Sequence, residues 1–215
     1  MDKTATITIS SNTLFHFTCS IEYLTNILSN EFRPHFCLEN FSFIVENQSE
    51  YEELEFAVPM VCFCDIPLSQ IGSHLSIYGN YGLGLSKEWG KRNGVAPVLY
   101  TYGESLLAKN LQLMVKSIKQ EDNLKTSFRS HLLEIFYDLT CFVKPYEGDF
   151  FRKGKVISNV RFYNEREWRY IPKLDKASYR YGLKKDKFID PAQLNKANKI
   201  LFEKTKLSFE PKDIK

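Results

Sequence analysis

Long apolar runs are missing from this 215-residue chain. No stretch approaches the roughly twenty consecutive apolar residues of a membrane-spanning helix, so we expect no membrane association. The N-terminal Met1-Asp-Lys-Thr-Ala-Thr lacks the apolar core of a secretory signal, which predicts a cytoplasmic, reducing setting. Cysteine is scarce and unpaired in pattern: Cys19, Cys37, Cys62, Cys64 and Cys141 form an odd set without a CxxC spacing. That excludes a zinc ribbon, leaves no metal site to propose, and reads as buried thiols. There is no P-loop, no GxSxG, no HExxH and no GxGxxG, which removes the nucleotide and hydrolase classes those motifs carry. Repeats and low-complexity segments are also absent. The formal charge of +3 is too small to imply a nucleic-acid partner by itself.

What is present is a globular composition, 43% hydrophobic and 14% aromatic, in a length that suits one domain spanning 1–215. Charge is unevenly spread. Residues 1–60 hold nine acids against two bases, and 173–215 hold twelve bases against six acids, which reads as a solvated acidic loop and a basic surface. Leu14 to Thr18 predicts a strand, and Ser20 an N-cap before the Ile21, Leu24, Ile27, Leu28 stripe. Arg33 to Cys37 and Val58 to Cys64 read as extended. A short helix or turn follows Pro67, then strands at Tyr81–Leu85 and Pro97–Tyr102, joined by a Lys87–Gly94 loop. From Glu104 the period becomes helical, with apolar faces at Leu106–Ile118 and Leu132–Leu139, so 104–142 predicts a helical pair. Strands resume at Val156–Phe162 and Glu167–Ile171. A basic loop at 173–187 leads to Asp190-Pro191, an N-cap and N1 proline opening a helix over 190–207. The last residues look like the start of another strand. Strands with segregated helices predict an α+β fold.

Chemistry concentrates in Met60-Val-Cys-Phe-Cys-Asp-Ile-Pro-Leu, His74 and Tyr78-Gly-Asn-Tyr-Gly-Leu-Gly-Leu. Gly79, Gly82 and Gly84 imply a close backbone approach to a ligand in a cleft, or a tight hairpin with a packed glycine seam. His16, between Phe15 and Phe17, is either a hydrogen-bonded core histidine or a ligand-orienting donor. Glu165 and Glu167, two apart on an extended segment, point to one side, with Arg166 and Trp168 on the other. They read as an edge strand with Arg166 and Arg169 as salt partners, or as paired carboxylates facing a developing cation. Two neighbours on one strand poorly match the flanking carboxylates of a glycosidase.

At these residues the chain resembles the AbiGi-like abortive phage resistance family. The matching pieces are Leu14-Phe-His-Phe-Thr, Met60-Val-Cys-Phe-Cys-Asp-Ile-Pro-Leu-Ser, Tyr78-Gly-Asn-Tyr-Gly-Leu-Gly-Leu-Ser-Lys-Glu-Trp-Gly, Pro97-Val-Leu-Tyr and Glu165-Arg-Glu-Trp-Arg-Tyr-Ile-Pro. The resemblance implies phage defence within a toxin–antitoxin pair, and the family label suggests the antitoxin member. A more distant similarity is to the ADP-ribosyltransferase fold, with split mixed and antiparallel sheets and here a helical-hairpin insertion. It implies NAD as substrate and His16 as the residue orienting the nicotinamide ribose. Tyr78 or Tyr81 would be the stacking aromatic, and Glu167, assisted by Glu165, the catalytic acid. The implied NAD site takes in Thr18, Phe63, Ser69 and His74 as well, with Phe63 near the place of the family's strand tyrosine. The acceptor would be nucleic acid, protein or, in an NAD hydrolase, water. The competing implication is a non-enzymatic module that binds a toxin or RNA.

Overall fold

The computed structural model describes residues 11–44, 55–120, 126–152, 155–175, 179 and 182–215. The acidic stretch around Glu50–Glu53 and residues 176–178, 180 and 181 of the basic loop at 173–187 lie outside the described residues. The chain opens with β1 (Thr13–Thr18), α1 (Ile21–Asn30) and β2 (His35–Asn40), followed by the long β3 (Glu55–Cys64). Then come α2 (Gly72–Tyr78), β4 (Tyr81–Ser86), α3 (Lys87–Arg92), β5 (Ala96–Pro97) and β6 (Leu99–Thr101). The helical pair is α4 (Leu106–Gln120) and α5 (Thr126–Thr140), after which β7 (Val143–Pro145), β8 (Gly148–Arg152) and β9 (Lys155–Val160) follow. β10 (Glu167–Tyr170), β11 (Leu183–Lys184), α6 (Lys185–Ile189) and α7 (Pro191–Lys204) complete the described elements.

β3 is the spine. The main sheet runs β4-β1-β3-β10-β5, with β2 and β11 also paired to β3, and every ladder in it is antiparallel. Alternation along β3 sorts the molecule into layers. Val58 and Met60 pack with Phe41, Leu111, Tyr137 and Cys141, which seats the helical pair on one face. Val61 and Phe63 turn the other way into a cluster with Leu14, Phe32, Leu85 and Trp89, and Ala57 meets Leu201 of α7 on that side.

β1 and β2 use β3 unequally. β1 touches it at the single pair Phe15–Cys64, while β2 pairs continuously from His35–Met60 to Asn40–Glu55. β1 therefore leaves β3 where β2 takes it up, and the sheet opens along Val61–Phe63.

The glycines belong to the packed seam. A Cβ on Gly82 or Gly84 would meet the rings of Phe17 or Phe15 at 2.6 and 3.0 Å, and one on Gly79, at φ +115°, would lie 2.2 Å from the Thr18 carbonyl oxygen. β4 thus slides under two phenylalanines and turns both rings outward as a wall.

Four local expectations change. The basic stretch 173–187 is not all loop, since Leu183–Lys184 pairs with β3 as β11 and Lys185–Ile189 forms α6. Lys87–Gly94 is not a loop: Ser86 Oγ accepts from Trp89 N–H at 3.1 Å and starts α3. Glu165 and Glu167 do not share a strand, because a 3₁₀ turn ends at Glu165 and Arg166 adopts the left-handed conformation at φ 44°. The terminal segment forms two isolated bridges, Phe32–Leu207 and Leu85–Ile214, around a 3₁₀ turn at Pro211–Asp213.

Candidate functional site

A cavity of about 640 Å³ lies at the opening between β1, β2 and β3, within the range of small-molecule sites. His16, Thr18, Phe63, His74, Tyr78, Glu165 and Glu167 all line it. Ser69 and Tyr81 do not: each is exposed, Ser69 on the 3₁₀ turn Leu68–Gln70 and Tyr81 at the start of β4.

The two carboxylates meet because Arg166 turns the chain back on itself between them. Lys144 Nζ lies 2.7 Å from Glu165 Oε2 and 2.9 Å from Glu167 Oε2. Arg169, fully buried, donates from Nε to Glu167 Oε1 at 2.7 Å and from Nη2 to Glu39 Oε1 at 3.1 Å, and from Nη1 to the Cys141 carbonyl at 2.9 Å. Tyr78 donates to Glu165 Oε1 at 2.6 Å, and the Glu167 N–H donates to Tyr100 Oη at 2.8 Å. Burial alone would push the Glu167 carboxyl up, but Arg169 and Lys144 outweigh it and hold the group well below the ordinary carboxylate range. Lys144 is likewise held charged: burial disfavours the ammonium, and Glu167 and Glu165 overcome that. Burial and the Glu165 charge push the Tyr78 phenol far up, so it stays a donor.

Aromatic rings form the adjoining wall. His74 stacks on Tyr78 with ring centroids 4.3 Å apart, Phe17 meets His74 edge-on at 5.5 Å, and Phe150 of the β8–β9 hairpin lies 6.5 Å from Tyr78. Asp65, at the end of β3, is paired with Lys87 at 2.7 Å.

His16 approaches from the other side of the sheet. The register pairs it with Leu83, on the face of Leu14 and Leu85, whereas Phe15 aligns with Cys64 and through it with Glu167. His16 and Glu167 therefore sit on opposite faces, and the cavity touches both because it lies where the strands part. The His16 ring packs edge-on against Phe32 and Phe63, and its Nδ1 is 2.8 Å from the Cys62 carbonyl oxygen. A carbonyl only accepts, so Nδ1 carries the proton and the neutral ring keeps its acceptor on Nε2. Burial lowers the pKa of His16 and, separately, of His35. The unfolded chain, with histidines near 6.5, then binds protons that the folded chain refuses. Their contribution to stability is full above about pH 6.5 and is lost as pH falls through it. Denaturant titrations between pH 7.5 and 5.5 should show stability falling, with the buried His16 ring contributing up to roughly 1.4 kcal/mol per pH unit and the more exposed His35 less, and a shallower fall for His16→Gln.

Nothing in the sequence marks Lys144 or Glu39, and there Arg169 reads only as a surface salt partner. Arg169, two residues beyond Glu167 on one strand, had the alternation signal for a shared face. Lys144 offered only an isolated charge within Cys141-Phe-Val-Lys-Pro. Among the described residues no group of three or more His, Cys, Asp or Glu could hold a metal ion, and no helix is long and apolar enough to cross a membrane.

Residues 30–215 match the family model described as "Putative abortive phage resistance protein AbiGi, antitoxin". An "Abortive phage resistance protein AbiGi" of Lactococcus lactis subsp. cremoris is 29% identical over 157 residues, covering 66% of this chain and 61% of that relative. The match thus spans a little over three fifths of the relative's length. No solved structure matches the chain. With the family model covering most of its length, this chain belongs to the AbiGi family of abortive phage resistance proteins.

Proposed function

We propose that this family member binds NAD in the cleft of the split sheet and transfers its ADP-ribosyl group as its part in phage defence. The observation that supports this reading is convergence: His16 of β1, Tyr78 of α2 and the Glu165–Glu167 turn, far apart in the chain, line one cavity. Cleaving the N-glycosidic bond sends the bonding electron pair off with nicotinamide and leaves positive charge on the ribose. A fixed carboxylate such as Glu167 stabilises that charge without reorganising. The His74–Tyr78 stack offers a flat aromatic face for the leaving ring. The sugar would then pass to an acceptor, nucleic acid or protein, or to water. An α+β fold of the ADP-ribosyltransferase type, with residues 104–142 as its insertion, goes with this reading.

A second reading, a non-enzymatic antitoxin that binds its toxin, is favoured by two observations. The family's own description names an antitoxin, and the oxygens of Glu165 and Glu167 all have partners inside the protein. The test is NAD consumption and growth arrest on expression of wild type against Glu167→Gln, which keeps the shape and one acceptor oxygen but removes the charge. The transferase reading expects turnover to drop about 100-fold or more in the variant. A wild type that neither binds nor consumes NAD, yet protects cells from a toxin encoded beside it, overturns the transferase reading in favour of the antitoxin.

A further inference from the structure

We propose that Lys144, supplied by the exit of the helical insertion, is a positioning residue of this site: its ammonium fixes the carboxyl groups of Glu165 and Glu167 side by side in the cleft wall. The inference rests on the transferase reading of the cleft, and it makes the insertion a contributor to the site rather than an outlying appendage.

The geometry around Lys144 is built from several directions. β7 follows α5 directly and pairs in parallel with β6, while Leu99 N–H donates to the Phe142 carbonyl at 2.8 Å. On the other side the Cys141 carbonyl takes Arg169 Nη1. The segment carrying Lys144 is therefore pinned between β6 and β10. Its Nζ touches both carboxylates and lies 4.7 Å from the Phe162 ring centroid. Two carboxylates that share one ammonium stand within about 6 Å of each other, a separation at which like charges raise one another's proton affinity.

The other groups facing the pair leave this task to Lys144. Tyr78 from α2 and Tyr100 from β6 are neutral phenols whose pKa values burial raises. Cys62 and Cys64 from β3 are thiols, also shifted upward, Cys64 to about 12 by burial. Glu39 from β2 adds a third carboxylate, and Arg169 already divides itself between Glu39 and Glu167. Glu165 thus has Lys144 as its cation. Without it the two carboxyl groups lose the cation they share and face each other as like charges, which raises the proton affinity of the pair.

The test uses Lys144→Met and Lys144→Arg, with folding checked by thermal melts. Two readouts are the pH profile of NAD turnover and the carboxyl titration of ¹³C-labelled glutamates by NMR. We expect wild type to show no carboxylate ionisation between about pH 6 and 8. Lys144→Met should lose about tenfold or more of its turnover at pH 7, with activity rising with pH through a new ionisation and one glutamate titrating higher. Lys144→Arg should restore the flat profile. Should the methionine variant fail to fold, Lys144→Gln carries the same comparison. A folded, uncharged variant with unchanged profile and unchanged glutamate titration overturns the inference. Wild type inert toward NAD overturns the transferase reading instead, and the glutamate titration still decides what Lys144 does to the pair.

Discussion

Replacing Arg169 with methionine should cost the folded protein about 3–5 kcal/mol, the usual penalty for removing one partner of a buried ion pair. The guanidinium is fully buried and donates to Glu167, to Glu39 and to the Cys141 carbonyl. Its removal leaves two carboxylates and a carbonyl facing an apolar side chain. Lys144 would compensate Glu167 in part, but Glu39 would lose its ion pair with the guanidinium. At this chain length each kcal/mol moves the melting temperature by roughly 2–4 °C, so a drop of roughly 6–20 °C is expected. Arg169→Lys should recover only part of it, because an ammonium cannot reproduce the fork that serves three acceptors. Guanidinium titrations of the three proteins check this, and a loss below about 1 kcal/mol for the methionine variant would show the cluster to be dispensable. The same cluster explains why a Glu167→Ala test of function is a poor choice: truncation strips Arg169 of its nearest partner and confounds folding with activity.

Much of the fold was legible because its elements obey simple periods. α1, the α4–α5 pair and α7 announce themselves through apolar stripes and caps: Ser20 Oγ accepts from Tyr23 N–H, and Asp190 caps with Pro191 behind it. The β1 and β3 strands read from alternation and β-branched or aromatic content. What failed did so where a local rule was overridden. α3 is six residues long with a glycine inside, too short for a period to show; Ser86 and the burial of Trp89 hold it together. An extended chain would put Glu165 and Glu167 on a shared side, whereas the two are brought together by a left-handed arginine, a conformation that a non-glycine residue seldom takes and sequence does not advertise. The glycines allowed two readings on residue type alone. Only the register of β1 against β4 shows that they make room for Phe15 and Phe17.

For the candidate site, residue types were legible and their relation in space was not. The distant ADP-ribosyltransferase resemblance implies one site holding both His16 and Glu167, whereas strand parity places them on opposite faces of the sheet. Parity could have been computed only after pairing was known. Lys144 shows the complementary difficulty. A single lysine ending a short apolar stretch carries no motif, and its meaning comes from the helices before it, which deliver the next strand to the carboxylates.

Trp89→Ala should be the second large loss, about 3–5 kcal/mol, because it empties the centre of the cluster behind the cleft. The indole is fully buried, with ring centroids 5.5 Å from Phe63 and 6.2 Å from Phe32. Its Nε1–H donates to the Ser208 carbonyl at 2.9 Å, so truncation also strips a partner from the terminal segment that bridges to β4 at Ile214. Trp89→Phe should cost less, since it keeps most of the apolar volume and loses mainly that one hydrogen bond, worth about 1 kcal/mol. The two variants separate packing from tethering. Hydrogen exchange at the terminal bridge should speed up in both, whereas the alanine variant alone should loosen Phe32 and Phe63. Those are the rings that flank His16, so the pKa of His16, followed by NMR, should climb back toward 6.5 in Trp89→Ala and stay low in Trp89→Phe. An unmoved His16 in a destabilised alanine variant would mean that the cleft keeps its shape without the core behind it, and that β1 and β3 alone hold the histidine in place.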